Sequence, residues 1–165
     1  MVTGITRKGL PKEAFVFNAK PTANRAGELA ADARFAAYDE ALAEANLVSR
    51  PVGLLDLEHF EANAKDLVQR ATGKPIRVAS KSLRIRRALE HTLGKPGFSG
   101  VLAFTVPEAI WLAESGIGDV VVGYPCADAS ALQALASSDV AREAVTLMVD
   151  DIEQLDLLER AAPGH

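Results

Sequence analysis

The 165 residues, 48% hydrophobic and 24% charged with a mean hydropathy of +0.08, belong to a chain that buries an apolar core, which excludes disorder throughout. A net charge of −4 and a pI near 5.4 argue against nucleic acid as a partner, because phosphate binding needs a basic face. No apolar run approaches the roughly 20 residues needed to cross a bilayer and no compact apolar signal segment opens the chain, so a cytoplasmic location without a membrane partner is expected. The lone Cys126 excludes an internal disulfide, and His59, His91 and His165 are too scattered for zinc-ligand spacing, so no metal is expected.

Met1 to Pro21 mixes Gly4, Gly9, Pro11 and Pro21 with basic residues and lacks a sustained period, so it reads as a loose arm. Thr22 to Val48 is alanine-rich, and Leu29, Ala33, Ala36, Ala37 and Leu42 mark one apolar stripe of a helix. Ser49-Arg50-Pro51 ends it, so that 1–50 form an N-terminal arm and helix. Val52 to Leu55 is a short strand candidate. A helix follows at Asp56, which is placed as its N-cap; Leu57, Phe60, Ala64, Leu67 and Val68 recur at helical spacing, and Gly73 closes it.

From there one unit repeats. Ile76 to Ala79, Gly100 to Phe104, Val120 to Tyr124 and Val145 to Val149 are nearly continuous apolar runs too short for helices, and they read as buried strands. Helical stretches follow at about Leu83 to Leu93, Pro107 to Glu114, Ala129 to Ala136 and Ile152 to Arg160. Strand starts recur every 20 to 25 residues, a rhythm that specifies βα units and a parallel sheet. Ser82, Thr105, Asp128 and Asp150 stand where helix N-caps belong, and Thr105 to Glu108 and Asp150 to Glu153 fit the capping-box pattern. All four caps then face the carboxyl ends of the strands, where ligands bind in barrels and open sheets alike.

The fold class is therefore α/β. Four units could form a small open sheet with helices on both faces, but regular spacing without a Gly-rich phosphate loop favours the N-terminal portion of a (β/α)8 TIM-type barrel over 51–165. The chain stops at His165 where a fifth strand is expected, which suggests a fragment.

Lys81, ending the run Pro75 to Ser80, is the main candidate for chemistry. A lysine is ordinarily protonated near neutrality, and desolvation or a neighbouring cation can free its amine to capture an aldehyde as a Schiff base. Arg84, three residues on, suits a phosphate or carboxylate. Thr105, Tyr124 and Asp150 lie on the same face, although capping explains Thr105 and Asp150 equally well and Tyr124 before Pro125 can simply close a strand. Trp111 reads as packing and His59 as an exposed helix residue.

The stretches Leu54 to Asn63, Ile76 to Ser82, Gly100 to Thr105 with Glu108-Ala109, and Asp119 to Pro125 together resemble the N-terminal half of the alanine-racemase-like (fold type III) barrel. Among that family they look most like the D-threonine aldolase, D-serine dehydratase and amino acid deaminase/aldolase group. The resemblance spans Val52 through Leu158 and implies pyridoxal 5'-phosphate carried by Lys81, the residue matching the lysine that ends the family's first barrel strand. It implies a lyase or isomerase acting on D-amino or β-hydroxy amino acids as small-molecule substrates. Ile85 stands where alanine racemases place a phosphate-touching tyrosine, which points away from racemase as such. Relatives are commonly dimers with sites near the subunit interface, so a homodimer, or completion by a second chain, is expected. A non-catalytic pyridoxal-phosphate carrier and a decayed fragment or interaction module are the alternatives.

Overall fold

The computed structural model describes residues 31–46 and 53–163, which fall into two compact units divided between Leu67 and Val68. The expected arm at Met1 to Pro21, the break at Ser49-Arg50-Pro51 and Leu29 lie outside the described residues.

In the first unit, helix α1 (Ala31–Glu44) runs within the alanine-rich stretch. Its buried residues are Ala41 and Leu42, whereas Ala33 and Ala36 of the expected stripe are exposed. The physical reason is a polar anchor. The Tyr38 hydroxyl donates to the Asp56 carboxylate, which turns the Tyr38–Leu42 side of the helix inward. Helix α2 (Leu57–Arg70) starts where expected, and Asp56 caps it by accepting from the His59 backbone amide at 3.1 Å. The expected strand at Val52 to Leu55 is corrected: Gly53 to Leu55 form none, and an isolated bridge stands at Asp56. A segment this short without a continuous ladder leaves its backbone groups to other partners.

The second unit is an α/β layer in which four parallel strands lie in the order β1 (Ile76–Ala79), β2 (Phe98–Ala103), β3 (Val120–Val122), β4 (Val145–Thr146). Val101 pairs with Val120 and Val120 with Val145, and the next position pairs Ala79 with Leu102, Leu102 with Val121, and Val121 with Thr146. Alternate residues face opposite sides of a strand, and burial follows that period. Val101, Ala103, Val120 and Val122 are at most 1% exposed, whereas Ala79, Leu102 and Val121 are half-buried and Thr146 is exposed. One face is therefore covered by helices. On it lie α4 (Arg86–Leu93) against β1 and β2, α5 (Val106–Glu114) against β2 and β3, and α7 (Asp139–Ala144) against β4. Helices α6 (Ala129–Ala136) and α8 (Glu153–Ala161) extend the layer, and the core joins Leu89, Leu112, Ile117, Leu132 and Leu135 to the strand residues.

Several expectations shift at their ends. The helix expected over Leu83 to Leu93 is two helices, α3 (Ser80–Leu83) and α4, because Arg84 adopts the left-handed conformation (φ 46°) and its amide closes α3 on the Ser80 carbonyl at 2.7 Å. Ser82 thus lies inside α3 and caps nothing. Asp150 is likewise not the cap of α8. Its amide and carboxylate engage the Gln154 side chain at 3.2 and 2.9 Å, and Asp151 takes the Glu153 amide instead. Strand β4 ends at Thr146 rather than Val149, because among the described residues it pairs on one side only, with the three-residue β3. Helix α7 escaped the sequence reading, although Ser138 accepts from the Ala141 amide as its cap and Ala141 and Ala144 are buried at helical spacing.

Candidate functional site

Lys81 reaches the surface from the first turn after β1. Its neighbour Ser80 is 1% exposed and donates its hydroxyl to the Leu102 carbonyl at 3.2 Å, tying the end of β1 to the end of β2. The Gly123 amide donates to the Ala103 carbonyl at 2.9 Å, which ties β2 to β3 at the same level. A Cβ at Gly123 would lie 3.2 Å from a Leu102 methyl, so the backbone approaches that side chain closely. These links hold the residues that follow each strand side by side.

What they bring together is one lysine and two aromatic rings. Lys81 Nζ donates to the Tyr124 hydroxyl at 2.8 Å and lies 5.2 Å from the Tyr124 ring centroid and 5.7 Å from that of Phe104. The two rings meet edge to face, with centroids 5.3 Å apart, and both remain about half exposed. An edge-to-face pair of this kind limits the rotation of each ring, so the Tyr124 oxygen has a defined place beside the amine. Glu108 fixes the Phe104 backbone by accepting its amide at 2.8 Å.

Of the residues named from sequence, Lys81 and Tyr124 are in direct contact. Arg84 stays adjacent, its Nε donating to the Lys81 carbonyl at 3.1 Å. Among the described residues, no hydrogen bond joins Thr105 or Asp150 to Lys81: Thr105 accepts the Glu108 amide as cap of α5, and Asp150 is held by Gln154. Phe104 was missed as a site residue. Its signal was available, since it stands directly before the cap of α5 at the end of an apolar strand.

The helix starts around this face differ in what they can still accept. Thr105 caps α5, Asp128 caps α6 by taking the Ser130 and Ala131 amides at 2.9 and 3.2 Å, and Asp151 takes the amide that opens α8. The Ser130 hydroxyl, donating at 2.6 Å, and then those two amides hold the Asp128 carboxyl below its ordinary value. Helix α4 opens with no side-chain cap, its N-cap Ile85 being extended. Its first-turn amides and the Arg84 guanidinium are the anion-compatible groups next to Lys81 in the chain.

A second polar cluster was also missed. Asp56 accepts from Tyr38, from the His59 amide, and from His59 Nδ1 at 2.9 Å, while Arg34 Nη1 stands 3.3 Å from His59 Nε2. Burial pushes the Asp56 carboxyl up, but the bonds from Tyr38 and His59 outweigh it and the net shift is downward. Tyr38 is pushed up to about 12, by burial first and then by the hydrogen bond to Asp56. The Tyr38 hydroxyl and both His59 donors meet the Asp56 carboxylate, so the cluster reads as a tie between α1 and the start of α2.

A cleft of about 560 Å³ lies elsewhere. Leu132, Leu135, Val145, Leu147, Leu155 and Leu158 are among its lining residues, which include none of the residues named from sequence. It marks loose packing of α6 and α8 at the β4 edge rather than a site with converging polar groups. No group of His, Cys, Asp and Glu among the described residues is arranged to hold a metal ion, and no helix among them is long and apolar enough to cross a membrane. Neither a family model nor a curated protein matches the sequence.

Proposed function

We propose that this chain supplies the lysine-bearing part of a pyridoxal-phosphate-dependent amino-acid enzyme of the alanine-racemase-like type, acting as a deaminase/aldolase or dehydratase on D-amino or β-hydroxy amino acids. The observation that carries it is the place of Lys81: the amine stands past the carboxyl end of a parallel strand, at the surface, against two aromatic rings. The one-directional strand order supports the barrel reading. With right-handed crossovers, strands added always on the same side put every helix on one face and leave no switch point among the four.

The residues present fit the cofactor at its aldehyde end. Lys81 would form the covalent link, Phe104 and Tyr124 would wall the ring on one side, and Arg84 with the uncapped opening turn of α4 would meet the phosphate. When bound, pyridoxal phosphate supplies an electron sink for a bond broken at the α-carbon of an amino acid. The Lys81 amine would hold or return a proton on its side of the site. Contacts to the ring nitrogen and a proton carrier for the opposite side would come from further βα units or a second copy of the chain.

Reductive trapping tests this reading. Borohydride treatment after incubation with pyridoxal phosphate is expected to place a pyridoxyl group on Lys81 in peptide mass spectra, with a saturable visible band before reduction. Lys81→Ala should abolish both. Labelling spread over surface lysines, unchanged in Lys81→Ala, would sink the assignment.

A further inference from the structure

The geometry points to Tyr124 as the proton carrier for bond formation at Lys81, an inference that rests on the carbonyl-capturing reading of that lysine. Capture of an aldehyde by an amine forms a double bond between Nζ and the carbonyl carbon and breaks both bonds from that carbon to oxygen. The oxygen leaves as water, carrying the two hydrogens that the neutral amine gives up. No oxidant or reductant is consumed. The chemistry therefore needs one group that takes a proton from nitrogen and delivers a proton to oxygen, two atoms attached to the same carbon.

Tyr124 is placed for that exchange. Its hydroxyl accepts from Nζ at 2.8 Å, inside the range over which a positioned acid or base moves a proton in one step. An oxygen bonded to the carbon that Nζ attacks is one bond further away and within reach of the same hydroxyl. A phenol can accept through its lone pairs while donating its own hydrogen, so a single group serves both ends. Among the described residues no other side chain bonds the Lys81 amine: Phe104 has no exchangeable proton, Thr105 accepts the Glu108 amide, Asp150 bonds Gln154, and Arg84 bonds the Lys81 carbonyl rather than its amine. The edge-to-face contact with Phe104 adds to the hydrogen bond in placing the phenol ring beside the amine.

Tyr124→Phe isolates this role because it keeps the ring and removes only the oxygen. The experiment follows the visible band formed when the full chain is mixed with pyridoxal 5'-phosphate, with borohydride trapping and mass mapping at the end point and circular dichroism to verify the fold. The final yield of adduct on Lys81 should match the unsubstituted protein, while its rate of appearance falls at least about tenfold. In Tyr124→Phe the rate should also rise with the concentration of an added general acid such as imidazole buffer, a dependence that the unsubstituted protein lacks. A variant that forms the adduct at the original rate would overturn the assignment to Tyr124 and leave Lys81 standing. So would a slowed variant that is indifferent to buffer, because that pattern belongs to a tyrosine that only positions the amine. Absence of any adduct on Lys81 in the unsubstituted protein would overturn the reading of the site and this inference with it.

Discussion

A single glycine controls how the second unit closes at the end of the sheet away from Lys81. Arg77 Nη1 donates to the Asp119 side chain at 2.7 Å, and Gly100 lies beneath that contact. A Cβ at position 100 would run into the Arg77 guanidinium and the Asp119 carboxylate, and Gly100 itself has φ +73°, which L side chains rarely adopt. Gly100→Ala is therefore expected to lower stability by about 1–2 kcal/mol in urea denaturation. In an Arg77→Ala background the cost should shrink to the share of the left-handed backbone, about 1 kcal/mol. Equal costs in both backgrounds would remove the ion pair from the explanation. The pair itself is a weak contributor, since both partners are a third or more exposed. None of this could be read from Gly100-Val101-Leu102 in sequence, where the glycine only marked a strand start; the requirement comes from a residue 23 positions earlier and another 19 later crossing over it.

At the scale of elements, α1 and the start of α2 are tied by groups that titrate at opposite ends of the pH range. The Asp56 carboxyl sits below 3.8, so the stability it contributes is complete above that value and is lost as pH falls through its lowered folded value. Tyr38, raised from 10 to about 12, works in the other direction: its contribution is complete below pH 10 and is lost as pH rises through about 12. The difference in unfolding free energy between the unsubstituted chain and Tyr38→Phe should be flat from pH 4 to 10 and narrow on both sides. A difference independent of pH across the whole range would mean that ring packing, not the Tyr38–Asp56 bond, holds α1. The helix was legible from its alanines, yet its inward side was not, because alanine marks a face only weakly and the anchor is a polar pair 18 residues apart. The same limit applies to Ser82 and Asp150. Each satisfies a local capping pattern, but the left-handed turn at Arg84 and the Gln154 side chain decide what their neighbours bond to.

At the largest scale, among the described residues of the second unit the helices pack against one face of the sheet. Leu102 and Val121 are half-buried on the other, Phe104 and Met148 are 45% and 44% exposed, and among the described residues β1 and β4 each pair on a single side. Unpaired strand edges and an open apolar face favour association. Sedimentation over a wide concentration range should show mass rising with concentration, and that rise should weaken on substituting a charged residue for Val121. A strictly monomeric species throughout would argue against completion of the barrel by a second copy.

The sequence by itself determined the βα rhythm, the positions of the four sheet strands to within two or three residues, and the caps at Asp56, Thr105 and Asp128. These depend on hydrophobic period and on hydrogen bonds spanning three or four residues, and such information is local. Tertiary structure alone decided that Phe104 and Tyr124 flank the lysine amine, that Ser80 pins the ends of β1 and β2, and that Asp150 bonds the Gln154 side chain. The parallel ladder sets those relations, placing residues 23 and 43 positions from Lys81 beside it through a register that no short window of sequence contains.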